Sequence, residues 1–261
     1  MTAEATRYAI GIDIGGTGIK GAVVNVADGT LVGERCKVKT PEGASITEVL
    51  DAVATLRTSI CSQALDLPRY LPVGICMPSV IRHGRSCTAA NIAPEWVGYE
   101  AATGFSEALG QRVSLVNDAD AAGYGEVRFG AARDTSGSIL VITLGTGIGS
   151  ALIYNGKLFP NTELGHLELD GHPDFERVGS ARGREVSGLS FKAWAQTRLT
   201  PYFQKLEQLI CPDAFIVSGG VSKRPETFLP YIDCQTPIEV AGLTNNAGII
   251  GAALLGAEGW D

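Results

Sequence analysis

The sequence predicts an α/β protein built from two similar lobes. Two glycine-rich turns carry that expectation: Ile12-Asp13-Ile14-Gly15-Gly16-Thr17-Gly18-Ile19-Lys20 and, in the second half, Ile142-Thr143-Leu144-Gly145-Thr146-Gly147-Ile148-Gly149-Ser150 read almost as copies of one another. Each follows an apolar, strand-like run and each leads into a hairpin-like stretch, so a whole plan recurs rather than one motif. Helical patterns alternate with the strands, and no low-complexity segment or flexible linker interrupts the chain.

Tyr8 to Ile14 reads as a buried strand, and Ala22 to Val26, the Asp28-Gly29 turn and Thr30 to Val32 read as a hairpin. Ser45 and Glu48 make a capping box ahead of Ile46, Val49, Leu50, Val53, Leu56 and Ile60, which share one helical face; that helix ends before Pro68. Val73 to Cys76 and Val113 to Val116 are further strands. The second delivers Asn117 and Asp118 at its carboxyl end, where polar pairs often line clefts. In the second half Ser138 to Leu144 is a strand, and Ser150 to Tyr154 pairs through Asn155-Gly156 with Lys157 to Phe159. A long helical region is expected from about Val186 to Ile210, interrupted near Pro201. The strand Ala214 to Val217, the turn Ser218-Gly219-Gly220-Val221-Ser222-Lys223 and a terminal helix over Asn246 to Glu258 complete the chain.

Composition excludes several function classes. With 261 residues, 45% of them hydrophobic and 19% charged, the chain is long enough for two modest lobes. A net charge of −7 disfavours nucleic acid and anionic membrane as partners, because both need a broad positive field. The longest apolar stretch, Ala247 to Ala257, falls far short of the roughly 20 residues that span a bilayer. Met1 to Ile10 show no basic start followed by an apolar segment, so a cytoplasmic location is expected. Cys36, Cys61, Cys76, Cys87, Cys211 and Cys234 are scattered without a Cys-x-x-Cys pair, which reads as reduced thiols rather than a disulfide framework or a cysteine zinc site.

The paired turns point to a phosphate-rich ligand. Glycines let backbone N–H groups approach phosphate oxygens, and Thr17, Thr146 and Ser150 add hydroxyl donors. Gly16-Thr17-Gly18-Ile19-Lys20-Gly21 also satisfies a dinucleotide fingerprint, yet that turn must open a helix, whereas Ala22 to Val26 is β-branched and enters a hairpin. A nicotinamide site is therefore disfavoured.

Asp13 to Lys20 resembles the first phosphate motif of the ROK-family sugar kinases. Ala89-Ala90-Asn91-Ile92, Val116-Asn117-Asp118-Ala119-Asp120-Ala121, Leu144 to Gly149, Glu163-Leu164-Gly165-His166 and Ser218-Gly219-Gly220-Val221 follow in that family's order. Gly165 to Leu169, Gly188 to Ala195 and Phe215 to Lys223 are similar to the branch that contains polyphosphate glucokinases and polyphosphate/ATP glucomannokinases. The resemblance implies a duplicated actin-like, ribonuclease-H-like α/β fold with two lobes about a central cleft. One lobe would be residues 1–117, with the C-terminal helix of about 246–261 packed back on it, and the other residues 118–245.

The resemblance also implies the chemistry: transfer of a phosphoryl group from polyphosphate or ATP to glucose or mannose, with Mg²⁺. From the residues alone Asp118 reads equally as a helix N-cap; the resemblance makes it the catalytic base that orients the sugar hydroxyl and accepts its proton. Asn91, Asn117, Asp118, Glu163, His166 and Glu185 are the implied hexose ligands. Asp13 is implied to hold Mg²⁺ through water. Gly15, Gly16, Thr17 and Lys20 face the donor from one lobe; Gly145, Thr146 and Gly147, with Gly219, Gly220 and Asn245, face it from the other. Arg177, Arg182, Arg184, Lys192, Lys223 and Arg224 are either a track for a long phosphate chain or ordinary solvated charges. Many family members bind zinc through cysteines that follow the glycine-histidine pair; no cysteine lies between Cys87 and Cys211, so no zinc is expected. Pro78-Ser79 departs from the family's usual proline-glycine. A homodimer is implied, with a monomer left open. The alternatives are an ATP-only glucokinase and a sugar sensor; such sensors carry an added DNA-binding segment, for which the residues before Tyr8 leave little room.

Overall fold

The computed structural model of the protein describes residues 7–64, 66–68 and 70–260. The reading of residues 1–10 as free of a leader pattern falls largely on residues 1–6, outside the described residues. The described residues up to Gly125 and from Asn246 onward form one compact unit, and those from Glu126 to Asn245 another.

In the first unit β1 (Tyr8–Ile14), β2 (Gly18–Asn25) and β3 (Thr30–Lys39) form an antiparallel meander. Helix α1 (Ile46–Ser62) follows, with Ser45 at its N-cap accepting from the Glu48 N–H, as the capping box requires. Strand β4 (Val73–Met77) then adds parallel to β1. A small ribbon of β5 (Ile81–Arg82) and β6 (Arg85–Ser86) precedes α2 (Ala101–Leu109). Strand β7 (Val113–Asn117) joins parallel to β4 and passes directly into α3 (Asp118–Phe129). The sheet order is β3-β2-β1-β4-β7.

The second unit repeats this plan strand for strand. Strands β8 (Ser138–Leu144), β9 (Ile148–Tyr154) and β10 (Lys157–Phe159) make the antiparallel meander. Four helices follow: α4 (Glu176–Gly179), α5 (Ala181–Val186), α6 (Phe191–Trp194) and α7 (Thr200–Ile210). Then β11 (Ala214–Ser218) adds parallel to β8, and β12 (Ile238–Val240) parallel to β11. The order β10-β9-β8-β11-β12 matches the first sheet position by position.

The helical region before β11 departs from expectation. Val186 ends α5 instead of opening a long helix, and Ser190 starts the next helix by accepting from the Ala193 N–H. The helix then passes through a π-turn over Ala195–Leu199 into α7 without breaking at Pro201. The wider turn shifts the hydrogen-bond register just where proline offers no N–H, so the chain continues.

Helix α8 (Ala247–Glu258) is buried along Ile249 to Leu255 and packs on β1 and β4 of the first unit, which accounts for its apolar character on every side. Its backbone comes so close that a Cβ on Gly74 would lie 1.7 Å from the Ala252 carbonyl oxygen. Among the described residues no helix is long and apolar enough to cross a membrane. All six cysteines are free.

Candidate active site

The parallel strands of the first sheet carry polar side chains to their carboxyl ends. Asp13, near the end of β1, stands across from Lys20 of β2 and Cys76 of β4. Lys20 Nζ lies 3.5 Å from Asp13 Oδ2, and Cys76 Sγ lies 3.8 Å from Oδ1 and 3.6 Å from the Gly248 carbonyl oxygen at the start of α8. Burial pushes the Cys76 thiol well up, and the carboxylates of Asp13 and Asp118 push the same way, so it stays neutral. Asp118 opens α3 at the end of β7, two strands from Asp13, a separation of about 10 Å at ordinary strand spacing.

Asn117 caps that helix. Its Oδ1 accepts from the Ala119 and Asp120 N–H groups at 2.8 and 3.1 Å, and its amide donates to the Ser79 carbonyl at 3.1 Å. Asp118 Oδ1 accepts from the Ala119 N–H at 2.9 Å. The first glycine turn is closed by a Gly15 N–H bond to the Gly18 carbonyl at 3.2 Å, and the buried Thr40 hydroxyl donates to the Gly15 carbonyl at 2.5 Å. Gly16 and Thr17 are exposed at its tip. Asn91, also exposed and with φ 61°, stands over the turn: a Cβ on Gly16 would lie 3.1 Å from that of Asn91.

The second turn is one residue shorter. Ile14 pairs with Ile19 in the first sheet, whereas Leu144 pairs with Ile148 in the second. Gly145 donates to the Gly147 carbonyl at 3.0 Å and accepts from the Arg182 N–H at 3.2 Å, leaving Thr146 exposed. The Ile148 N–H donates to Glu176 Oε2 at 3.0 Å, and a Cβ on Gly147 would lie 2.3 Å from that oxygen, so a larger residue there would displace the carboxylate. Ser150 does not serve as an exposed donor beside the turn. It is buried, its hydroxyl donates to the Thr162 carbonyl, and it accepts from the Leu164 N–H at 3.0 Å. Ser150 instead anchors the segment that carries Glu163.

Glu163 and His166 sit at the two ends of a single 3₁₀ turn, with His166 Nε2 3.7 Å from Glu163 Oε2. The other ring nitrogen, Nδ1, lies 2.9 Å from Asp174 Oδ1 and 4.0 Å from Glu176 Oε1. The hydrogen bond to Asp174 is the main reason the imidazole is held above its ordinary value of 6.5, with Glu176 and Glu163 adding to it against burial. Asp174 is lowered in turn, chiefly by the same bond and further by Arg177, whose Nε lies 2.7 Å from Oδ2. Burial raises Glu163, with Glu176 adding to the rise and His166 opposing it. Glu185 is 67% exposed and pairs with Arg184 at 3.5 Å; it is not among the carboxylates within 4.0 Å of His166.

At the end of β11, Gly219 has φ 95°, and a Cβ there would lie 2.3 Å from the Leu144 carbonyl oxygen, so the strand end needs glycine twice over. Gly220 opens the short turn that follows. Asn245 is exposed in the turn Thr244–Asn246; just ahead of it, the buried Glu126 carboxylate accepts from the Gly242 and Leu243 N–H groups at 2.9 and 2.8 Å. Of the basic residues, Arg177 is paired with Asp174, while Arg184 lies over the Phe191 ring at 4.2 Å and donates to the Leu189 carbonyl. Arg182, Lys192, Lys223 and Arg224 are exposed.

Three residues escape the sequence reading. Asp174 and Glu176 bracket Phe175 in the stretch where the family resemblance implies cysteines, and an Asp-x-Glu pair shortly after His166 was the available signal. Thr143 occupies in β8 the place Asp13 holds in β1, and its Oγ1 is buried without a hydrogen-bond partner among the described residues; aligning the two turns one residue further back finds it.

The family model for the ROK family matches residues 9–206. The chain is 40% identical over 253 residues to a polyphosphate glucokinase of Mycobacterium tuberculosis (strain CDC 1551 / Oshkosh), covering 97% of this chain and 92% of that one. Among solved structures, the inorganic polyphosphate/ATP-glucomannokinase of Arthrobacter sp. strain KM superposes with a TM-score of 0.91 at 46% identity, covering 97% of this chain and 99% of that one. A ROK-family glucokinase of Streptomyces griseus, in complex with glucose and AMPPNP, has a TM-score of 0.77 at 24% identity over 95% and 98% of the two chains, a likeness of fold. The duplicated sheets are thus those of the actin-like sugar kinase fold, and the chain belongs to the ROK family.

Proposed function

We propose that the protein moves the terminal phosphoryl group of inorganic polyphosphate or ATP to the 6-hydroxyl of glucose. The observation that carries this reading is the pair of carboxylates at the carboxyl ends of β1 and β7: Asp13 beside the first glycine turn and Asp118 two strands away. The similarity to polyphosphate glucokinases over 97% of the chain supports the same conclusion.

Asp118 acts as the base. Its carboxylate orients the 6-hydroxyl and takes the proton as the sugar oxygen bonds to the terminal phosphorus; the bond to the next phosphate breaks, and the shortened donor leaves with that electron pair. Asn117 fixes the start of α3 and so holds Asp118 in place. Asn91, Glu163, His166 and Glu185 hold the remaining sugar hydroxyls, and each unmatched buried polar group there would cost about 1–3 kcal/mol. Gly15, Gly16, Thr17 and Lys20, with Gly145, Thr146 and Gly147, present N–H, hydroxyl and ammonium donors to the phosphates; Gly219, Gly220 and Asn245 line the place of a nucleoside donor.

Asp13 suits Mg²⁺: among the described residues its two oxygens have long contacts, at 3.5 and 3.8 Å, so they are available to hold coordinated water. When bound, Mg²⁺ would neutralise charge on the phosphates. Mannose is a second acceptor in this reading, because one epimeric hydroxyl is accommodated by small side-chain shifts. Initial rates with glucose and mannose crossed against ATP and long-chain polyphosphate test the proposal. Turnover of glucose with both donors is expected; turnover with ATP alone would reduce it to an ordinary glucokinase.

A further inference from the structure

His166 is half exposed, and an exposed imidazole rotates freely unless its ring is tied. It is tied from one side only: Nδ1 meets Asp174 Oδ1 at 2.9 Å, while Nε2 points toward Glu163 at 3.7 Å. Asp174 is held in turn by Arg177 on its second oxygen, and Glu176 reaches from the next turn of chain to the Ile148 N–H of the phosphate turn. His166, Asp174 and Glu176 also bring one ligand atom each within 4.8 Å of one another, the arrangement of a metal site. Both carboxylates, however, already accept from protein donors. Those protein donors make the same three residues a hydrogen-bonded clamp.

We propose that Asp174 is a positioning residue for the hexose, acting through His166. By accepting a hydrogen bond from Nδ1–H it fixes the ring's plane, so that Nε2 and Glu163 present one paired surface to adjacent sugar hydroxyls. Glu176 ties the same clamp to Gly147 and Ile148, so the sugar-facing histidine and the second phosphate turn share one support. The proposal rests on the hexose reading of His166 given above. The groups that face the imidazole are Glu163 from its own turn, Asp174 from the segment entering α4, and Glu176 from α4, with Arg177 of α4 on the second oxygen of Asp174.

The test is steady-state kinetics on the full chain with Asp174→Ala and Asp174→Asn, together with ¹⁵N spectra of the His166 ring. Asp174→Ala is expected to raise KM for glucose roughly tenfold while leaving KM for the donor within about twofold. Asp174→Asn keeps an acceptor oxygen without the charge; it is expected to recover much of the glucose KM and to move the His166 ionisation to lower pH. Equal losses toward both substrates, or an unchanged His166 ionisation in both variants, would overturn the proposal. Inhibition of the wild type by 1,10-phenanthroline in the presence of Mg²⁺, reversed by Zn²⁺, would overturn it in favour of a metal site. A wild type that phosphorylates no hexose would instead remove the underlying reading of the site.

Discussion

The ion pair between His166 and Asp174 makes a specific claim about pH. The imidazole is raised in the folded chain, so its contribution to stability is complete below the ordinary histidine value of 6.5 and is lost as pH rises through the higher folded value. Asp174 is lowered, so its contribution holds above 3.8 and is lost as pH falls through its folded value. Both shifts describe one bond, which is at full strength between those limits. The melting temperature of His166→Gln is expected to fall furthest below wild type near pH 5.5 and to converge on it by about pH 9. A gap that does not change with pH would contradict the assignment. At this scale the placement of Asp13 and Asp118 at strand ends, and of His166 three residues after Glu163, was legible from strong local patterns. It was not legible for Ser150, whose alternation along β9 turns it inward, or for Asp174 and Glu176, whose meaning depends on where a loop folds back.

Elements were legible wherever one signal acted alone. The capping box of α1, the hairpin turns and the apolar run of α8 each appear where their residues point. The misreading lay between α5 and α7, because helix-forming residues on both sides masked the stop after Val186, and a π-turn absorbed Pro201. Strand β12 escaped because three residues, two half-buried about an exposed Glu239, carry too little pattern to separate a strand from a loop. One element contact has a measurable consequence. Glu126, in the last turns of α3 and fully buried, accepts three backbone N–H groups: those of Ala131 and Gly242 on one oxygen and that of Leu243 on the other. Glu126→Gln replaces one acceptor oxygen with a donor, which leaves an N–H opposed, and is expected to cost about 1–3 kcal/mol in urea unfolding. Unchanged stability would show that the 242–243 segment is held by something else.

Across the whole molecule the duplication organises the chemistry: two sheets of the same order each end in a glycine turn. The first turn has a carboxylate, Asp13, beside it and the second a threonine, Thr143, at the matching strand position. The sequence showed the repeat because the turns are nearly identical, but not the one-residue difference in their length, which only strand register fixes. The donor leaves its own signature at this scale. If Arg182, Lys192, Lys223 and Arg224 follow a long phosphate chain, KM for polyphosphate rises more steeply with salt than KM for ATP, because more charge pairs are screened; equal slopes would remove the track. The central claim is that Asp118 is the base of a hexose kinase, and single-turnover phosphorylation of glucose by wild type and Asp118→Asn, with glucose affinity measured by calorimetry on both, tests it most directly. Turnover is expected to fall by a factor on the order of 10² to 10⁴ while glucose still binds within a few-fold of wild type; near-normal turnover by Asp118→Asn would contradict that role.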